Sequence, residues 1–287
     1  MATGATAYIS NTTATAFVEK VYSKMALVAR ESATVFADLV NRKFESEAQY
    51  GDTINVPGVS NLTTQTLNTA TIAAIVYETQ TETTTAITIS TWAYSAIAIQ
   101  SATARQVNRD LIETYAPKQG YALALKVDDD LAALVDDFSQ TVGTLTVENT
   151  YDDVLRARQY LDDADAPLED RVMVIAPAAE VGFMKLDHFI KSDYSRLQGG
   201  KTRAKDRAMV GTWIDMPIYK STNVEGSNAI GHDNGMFQKE ALALVMQMEP
   251  TSHTFFDVDY LARKCVVEQL YGVKEMRDDH GCWLAGA

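Results

Sequence analysis

Residues 44–104 make a stretch of 61 positions without one lysine or arginine. The acids there are only Glu45, Glu47, Asp52, Glu78 and Glu82, and thirteen threonines fall between residues 53 and 91, interleaved with Ile and Val. Thr, Ile and Val are branched at Cβ, stiff at χ1 and favoured in strands. Strict alternation over residues 84–89 (TTAITI) gives one apolar and one polar face. The pattern predicts a long two-stranded excursion, with Pro57-Gly58 marking a turn near its start. A lone hairpin is marginal in water, and a low-charge ribbon left bare is an aggregation hazard. The ribbon is therefore expected to dock on a partner.

Charge is uneven elsewhere too. Of 287 residues, 25 are Lys or Arg and 38 are Asp or Glu, a net −13. The acid gathers in residues 128–137 and 152–170, whereas residues 185–207 hold seven basic side chains against three acids. The acidic balance argues against nucleic-acid binding driven by overall charge. Mean hydropathy is −0.13, and no stretch approaches the roughly 18 apolar residues a membrane helix needs. The first residues have no basic segment followed by an apolar core, so no secretory signal is expected. Cys265 and Cys282 cannot form a disulfide framework, which suits a reducing compartment. The length suits one large domain or two intertwined ones.

Along the chain, residues 1–13 read as an extended arm, and residues 14–41 carry helical spacing through Val18, Val21, Met25, Val28, Val35, Phe36 and Leu39. A second helical stretch covers residues 103–138, with a kink or break expected at Pro117. Its stripe runs Val107, Leu111, Tyr115, then Leu123, Val127, Leu131, Leu134, Val135 and Phe138; its aspartates read as a solvated acidic side. Thr150 and Asp153 fit a capping box at a helix start. Residues 171–176 (RVMVIA) read as a buried strand, and Pro177 opens the next helix. Residues 213–219, 228–230 and 241–246 read as strands, and residues 255–273 as one long strand or two.

Enzymatic chemistry finds no support. Gly200-Lys201-Thr202 resembles the end of a phosphate-binding loop, but position 195 is Ser where that loop needs Gly. His188, His232, His253 and His280 stand at no ligand spacing, and no nucleophile elbow occurs. No catalytic, cofactor-binding or metal-ligating residue is assigned. The basic segment reads better as pairing with an acidic face of a neighbouring subunit than as a phosphate contact.

The order of segments resembles the major capsid proteins of tailed bacteriophages, with the Hong Kong ninety-seven phage capsid fold. Residues 211–223 (GTWIDMPIYKSTN), 235–243 (GMFQKEALA, with Gln238 where the family has His) and 269–274 (QLYGVK) are similar to short motifs of that family. The resemblance covers nearly the whole chain. It implies an α+β fold: an N-terminal arm (1–44), an extended β-hairpin loop with flanking strands (45–95), a long spine helix with the peripheral domain (96–147), an axial domain (148–241), return strands of the peripheral domain (242–268) and a last axial segment (269–287). It further implies the structural subunit of an icosahedral head, self-assembling into pentamers and hexamers that enclose double-stranded DNA, in the virion and assembled in the host bacterial cytoplasm. The expected partners are itself, a portal, packaged DNA bound without sequence specificity, and a separate scaffolding protein; no membrane is expected. Inter-subunit contacts are expected at Thr64, Thr66, Tyr77, Glu78, Glu82, Lys191, Arg196, Lys201, Arg203 and Lys205. Some relatives weld their shells through a lysine of the extended loop; residues 44–104 contain none. An encapsulin-like compartment shares the fold and is the alternative shell; a phosphate-binding enzyme using Lys201 and Thr202 is the alternative of another class.

Overall fold

The computed structural model describes residues 34–67, 74–75, 77–106, 111–185, 209–213 and 216–286. Three sheets organise them. The first is a two-stranded antiparallel ribbon of β1 (Thr53–Val59) and β2 (Glu82–Thr88), in register from Thr53 opposite Thr88 to Val59 opposite Glu82. The second has three antiparallel strands in the order β10 (Leu242–Asp257), β11 (Ala262–Glu275), β3 (Thr91–Gln100). The third is mixed: β4 (Thr141–Gly143), β12 (Gly281–Gly286), β9 (Gly231–Gln238), β5 (Arg171–Ile175), β7 (Met216–Lys220) and β6 (Met209–Trp213), with β8 (Gly226–Ser227) on β9. The helices are α1 (Phe36–Leu39), α2 (Ser101–Gln106), α3 (Leu111–Ala132), α4 (Tyr151–Asp163) and α5 (Pro177–Phe183). Segregated helices and largely antiparallel sheets make this an α+β fold, as expected.

Helix α3 joins the two larger sheets. Its buried stripe Leu123, Val127, Leu131 recurs every fourth residue, so one face packs continuously. Gln119 Nε2 donates to the Ser95 carbonyl at 2.9 Å, Gln269 Nε2 donates to the Leu123 carbonyl at 3.1 Å, and the Tyr271 hydroxyl donates to Asp130 at 2.6 Å. These bonds fix α3 on one face of the three-stranded sheet. Past the helix, Val135 and Phe138 enter the same core as Phe36, Val174, Phe237 and Leu242, which reaches the mixed sheet. A second core, with Val154, Leu161, Phe183, Trp213 and Leu284, lies between that sheet and α4 and α5.

Local chemistry sets the ends of α4. The Thr150 and Asp153 side chains exchange the two capping-box bonds, as expected. At the far end Arg171, only 3% exposed, donates to the carbonyls of Ala166 and Pro167 and to Asp162, closing the exit from the helix. Strand β5 is buried at every position and Pro177 stands in the first turn of α5, also as expected.

Four sequence expectations are corrected. Pro57-Gly58 makes no turn: both residues lie inside β1, opposite Thr84 and Thr83. A two-stranded ribbon has two open edges, so a proline without an N–H is tolerated there. Helix α3 is not broken at Pro117, which stands in its second turn and forgoes only the bond to the Glu113 carbonyl. It stops at Ala132 rather than Phe138, tightening through Leu134 N–H to the Leu131 carbonyl and Val135 N–H to the Ala132 carbonyl. Residues 228–230 form the turn between β8 and β9 instead of a strand, with Ile230 exposed. Finally, the aspartates of 128–137 are not one solvated face. Asp128 is fully buried; Asp130 holds Tyr271 and Lys126; Asp129, Asp136 and Asp137 are exposed. Of the expected first helix, only Phe36–Leu39 is helical among the described residues, and residues 14–33 lie outside them.

Candidate functional site

The ribbon stands on a small core of its own chain. Ile54, Ile87 and Ile89 pack with Ala48, Ala243 and Val245. Ile87 is fully buried, and the Ile89 N–H donates to the Asp52 carbonyl at 2.7 Å. Gly272 allows the approach of the root to β11: a Cβ there would lie 2.4 Å from the Thr88 carbonyl oxygen. Thus the base of the ribbon leans on β10 and β11, Val56 to Ser60 face Lys43, Glu240 and Arg277 across a groove, and residues 61–67 beyond are exposed.

Beyond Val59 and Glu82 the ladder stops, but the two arms stay tied. Thr63 donates through its backbone N–H (2.9 Å) and its hydroxyl (3.0 Å) to the two oxygens of Glu78. The Ser60 hydroxyl reaches Gln80 and the Thr81 carbonyl at 3.2 and 3.3 Å. Around these ties, residues 59–67 are exposed without a break. Val59, Leu62, Leu67, Ile75 and Tyr77 are large apolar side chains left in solvent, Tyr77 at 87%. With no cation between residues 44 and 104, the charge on this surface is limited to Glu78 and Glu82.

Of the residues singled out from sequence, Thr64, Thr66, Tyr77, Glu78 and Glu82 share this ribbon and are exposed. Glu78 is committed within the ribbon as the acceptor for Thr63; Glu82 faces Val59 at the last rung. Lys191, Arg196, Lys201, Arg203 and Lys205, and the loop with Gly200 and Thr202, lie outside the described residues.

Sequence reading missed the three-stranded sheet as a surface. Its face away from α3 carries Trp92 and Tyr94, 68% and 71% exposed. The Trp92 indole N–H donates to Glu268 at 3.0 Å, and Glu268 meets His253 at 3.2 Å, so three strands are linked across this face. The end of β10 carries Phe255 and Phe256 and the turn to β11 carries Val258, Tyr260 and Leu261, all at least half exposed. Beside it an open groove of about 710 Å³ lies between Ile99, Tyr115, Tyr260 and Lys264. The signal was present in TWAYSAIAIQ (residues 91–100), whose two alternating faces are both apolar.

Groups with shifted protonation sit at joints between elements. Burial, then Asp278 and Asp137, push the Glu275 carboxyl up to about 7. Burial also raises the Cys282 thiol to about 12, so it is no nucleophile. Among the described residues no cluster of His, Cys, Asp or Glu is arranged to hold a metal ion, and no helix is long and apolar enough to cross a membrane.

No protein-family model and no curated protein matches the chain. Solved structures do. A chain of Mycobacterium phage Che8 superposes with a TM-score of 0.76 at 22% identity, covering 93% of this chain and 97% of that one. The capsid structure of cyanophage P-SCSP1u gives 0.73 at 20%, covering 96% and 94%. The mature capsid of bacteriophage PhiM1 gives 0.68 at 13%, covering 93% and 91%. The chain therefore has the fold of phage capsid proteins over most of its length. This is the fold the sequence resemblance implied, that of the tailed-phage major capsid protein.

Proposed function

We propose that the chain is the structural subunit of an icosahedral bacteriophage head, assembling with copies of itself into pentamers and hexamers around double-stranded DNA. The capsid fold supports this reading, and one observation carries it: a rooted ribbon whose outer half has no cation, exposes Val59, Leu62, Leu67, Ile75 and Tyr77, and pairs with no further strand among the described residues. Such a surface is stable only where a neighbour covers it. In this reading residues 1–44 are the arm, 45–95 the extended loop, 96–147 and 242–268 the peripheral domain, and 148–241 with 269–287 the axial domain. Thr64, Thr66 and Tyr77 lie on the adjacent subunit, and the basic residues Lys191, Arg196, Lys201, Arg203 and Lys205 meet acidic side chains of a neighbour. Many modest contacts then sum to a stable container. A separate scaffolding protein and a portal complete assembly in the host cytoplasm, and no catalysis is required.

Expression alone and with the scaffolding protein, followed by electron microscopy, tests the proposal; closed shells are expected. Deleting residues 60–81 removes the outer ribbon but spares Ile54, Ile87 and Ile89 of the root. The expected product is a folded, soluble subunit that forms no particles. Particles of normal size from the deleted chain would refute the role given to the ribbon. DNA inside native particles distinguishes a phage head from an enzyme-filled compartment.

A further inference from the structure

Three segments carry the described chain between the three-stranded sheet and the mixed sheet: residues 133–140 from α3 to β4, 239–241 from β9 to β10, and 276–280 from β11 to β12. The last is tied to both of the others. The Met276 and Arg277 N–H groups donate to the Ala241 carbonyl at 2.7 and 3.3 Å. Asp278 accepts the Ser139 N–H at 2.7 Å on one oxygen and the Ser139 hydroxyl on the other. With both oxygens accepting, Asp278 is a carboxylate. Glu275, the last residue of β11, is hydrogen-bonded to this same group. Two carboxyl groups hydrogen-bond only through a proton, so Glu275 carries it. The Oε1 atom of Glu275 is buried with no hydrogen-bond partner, which suits a neutral carboxyl and penalises a charged one.

We propose that Glu275 is a proton-gated clasp on the joint between the two sheets. Protonated, it holds the end of β11 against Asp278 and, through Asp278, against Ser139; ionised, it is expelled from Asp278 and the joint loosens. The charged groups facing it are Asp278 on 276–280, Asp137 on 133–140 and Lys274 on β11, while β10 sets Leu242 opposite. Burial, then the two aspartates, oppose its ionisation, and only the lysine favours it. Burial also disfavours the charge on Asp278, but the Ser139 hydroxyl and amide, with Glu275, hold that carboxyl below its ordinary value. The pair is thus divided into one acid and one carboxylate. Because the acid is the one raised in the folded chain, the clasp is fully closed below its ordinary value of 4.5 and weakens as pH rises through about 7. The backbone bonds to Ala241 do not titrate, so the joint slackens without parting. The clasp belongs to the single subunit, and its failure would leave the shell reading untouched.

Hydrogen exchange on the purified full chain, corrected for intrinsic base catalysis, tests it at the amides of Met276 and Arg277. With a value of about 7 when closed and the ordinary 4.5 once released, the opening constant of the joint is expected to rise about ten-fold from about pH 6 to about pH 8. In Glu275→Gln the side-chain amide donates to Asp278 at every pH, and the rise should shrink below roughly two-fold. Asp278→Asn removes the like charge and should flatten the profile as well, so one misfolded variant leaves the other to decide. A flat wild-type profile overturns the clasp, and so does a ten-fold rise that survives in either folded variant. Equal exchange at Met276 and at Val174 and Ile175 of the buried β5 also overturns it, because the joint would then open only with the whole fold.

Discussion

Removing the carboxylate of Asp128 should unlock three elements at once. Its side chain is fully buried in α3, and one oxygen accepts the backbone N–H groups of Val35 (2.8 Å) and Phe36 (2.7 Å). The other oxygen accepts Asn223 Nδ2 at 2.7 Å. The amides of Val35 and Phe36 open α1, which has no side-chain cap of its own, so an acid 92 residues away serves as one. Asp128→Ala leaves three donors without this acceptor, at ~1–3 kcal/mol each for a buried unsatisfied group. Part of that is offset, because burial penalises the carboxylate itself and raises its pKa. A net loss of about 3 kcal/mol is expected, which lowers the urea midpoint of the unassembled subunit by about 1 M at an m-value of about 3 kcal/mol/M. Asp128→Asn should cost less, since it keeps one acceptor oxygen but turns an NH₂ toward Asn223. Combining Asp128→Asn with Asn223→Asp restores donor to acceptor and should recover much of the loss. A midpoint within about 0.3 M of wild type for Asp128→Ala, or no recovery in the double variant, would refute the assignment of Asp128 as the latch.

Gly272→Ala places a methyl against the backbone of Thr88 and Ile89; overpacking of about 1–3 kcal/mol should appear as a lower urea midpoint, and an unchanged midpoint would deny the close approach at the ribbon root. Glu275 has a folded pKa near 7 against an ordinary 4.5, so its contribution is fully present below pH 4.5 and is lost as pH rises through 7. Glu275→Gln should therefore gain on wild type between pH 5 and pH 8 in denaturation midpoints; an identical pH slope would remove Glu275 as its source. Glu78→Ala cuts an exposed tie, so subunit stability should stay within about 0.5 kcal/mol while particle yield drops. Undiminished yield would show that the tip needs no internal bracing.

Features set by neighbours in sequence were readable from it. Thr150 with Asp153, the apolar run before Pro177 and the alternation at residues 84–89 each depend on a few adjacent residues, and each folds as its pattern implies. What escaped depends on partners far along the chain. Pro57-Gly58 has turn chemistry, yet fourteen paired residues on the two strands hold it straight. Asp128 sits among four other aspartates and differs from them only because Val35, Phe36 and Asn223 converge on it. The ribbon was legible as a surface because its lack of lysine and arginine is a property of composition. Trp92 and Tyr94 were not, because only the position of α3 decides which face of β3 is covered.

The root of the ribbon has a mechanical consequence. Asn41 forms a parallel bridge to Ala243, with its N–H on the Leu242 carbonyl and its carbonyl on the Leu244 N–H. Ala243 is also a wall of the pocket that grips Ile54 and Ile87, and Gln247 holds the carbonyls of Ala48 and Gly51 just below. Six residues of β10 thus serve as a common fulcrum for the ribbon and for the segment leading to it. With an arm of about 23 Å along its seven paired rungs, a small rotation at Ala243 becomes a displacement of several ångströms at Val59. A load on the ribbon meets β10 and β11 first, at Ala243, Val245 and Gly272, and Ala243 passes it on to Asn41.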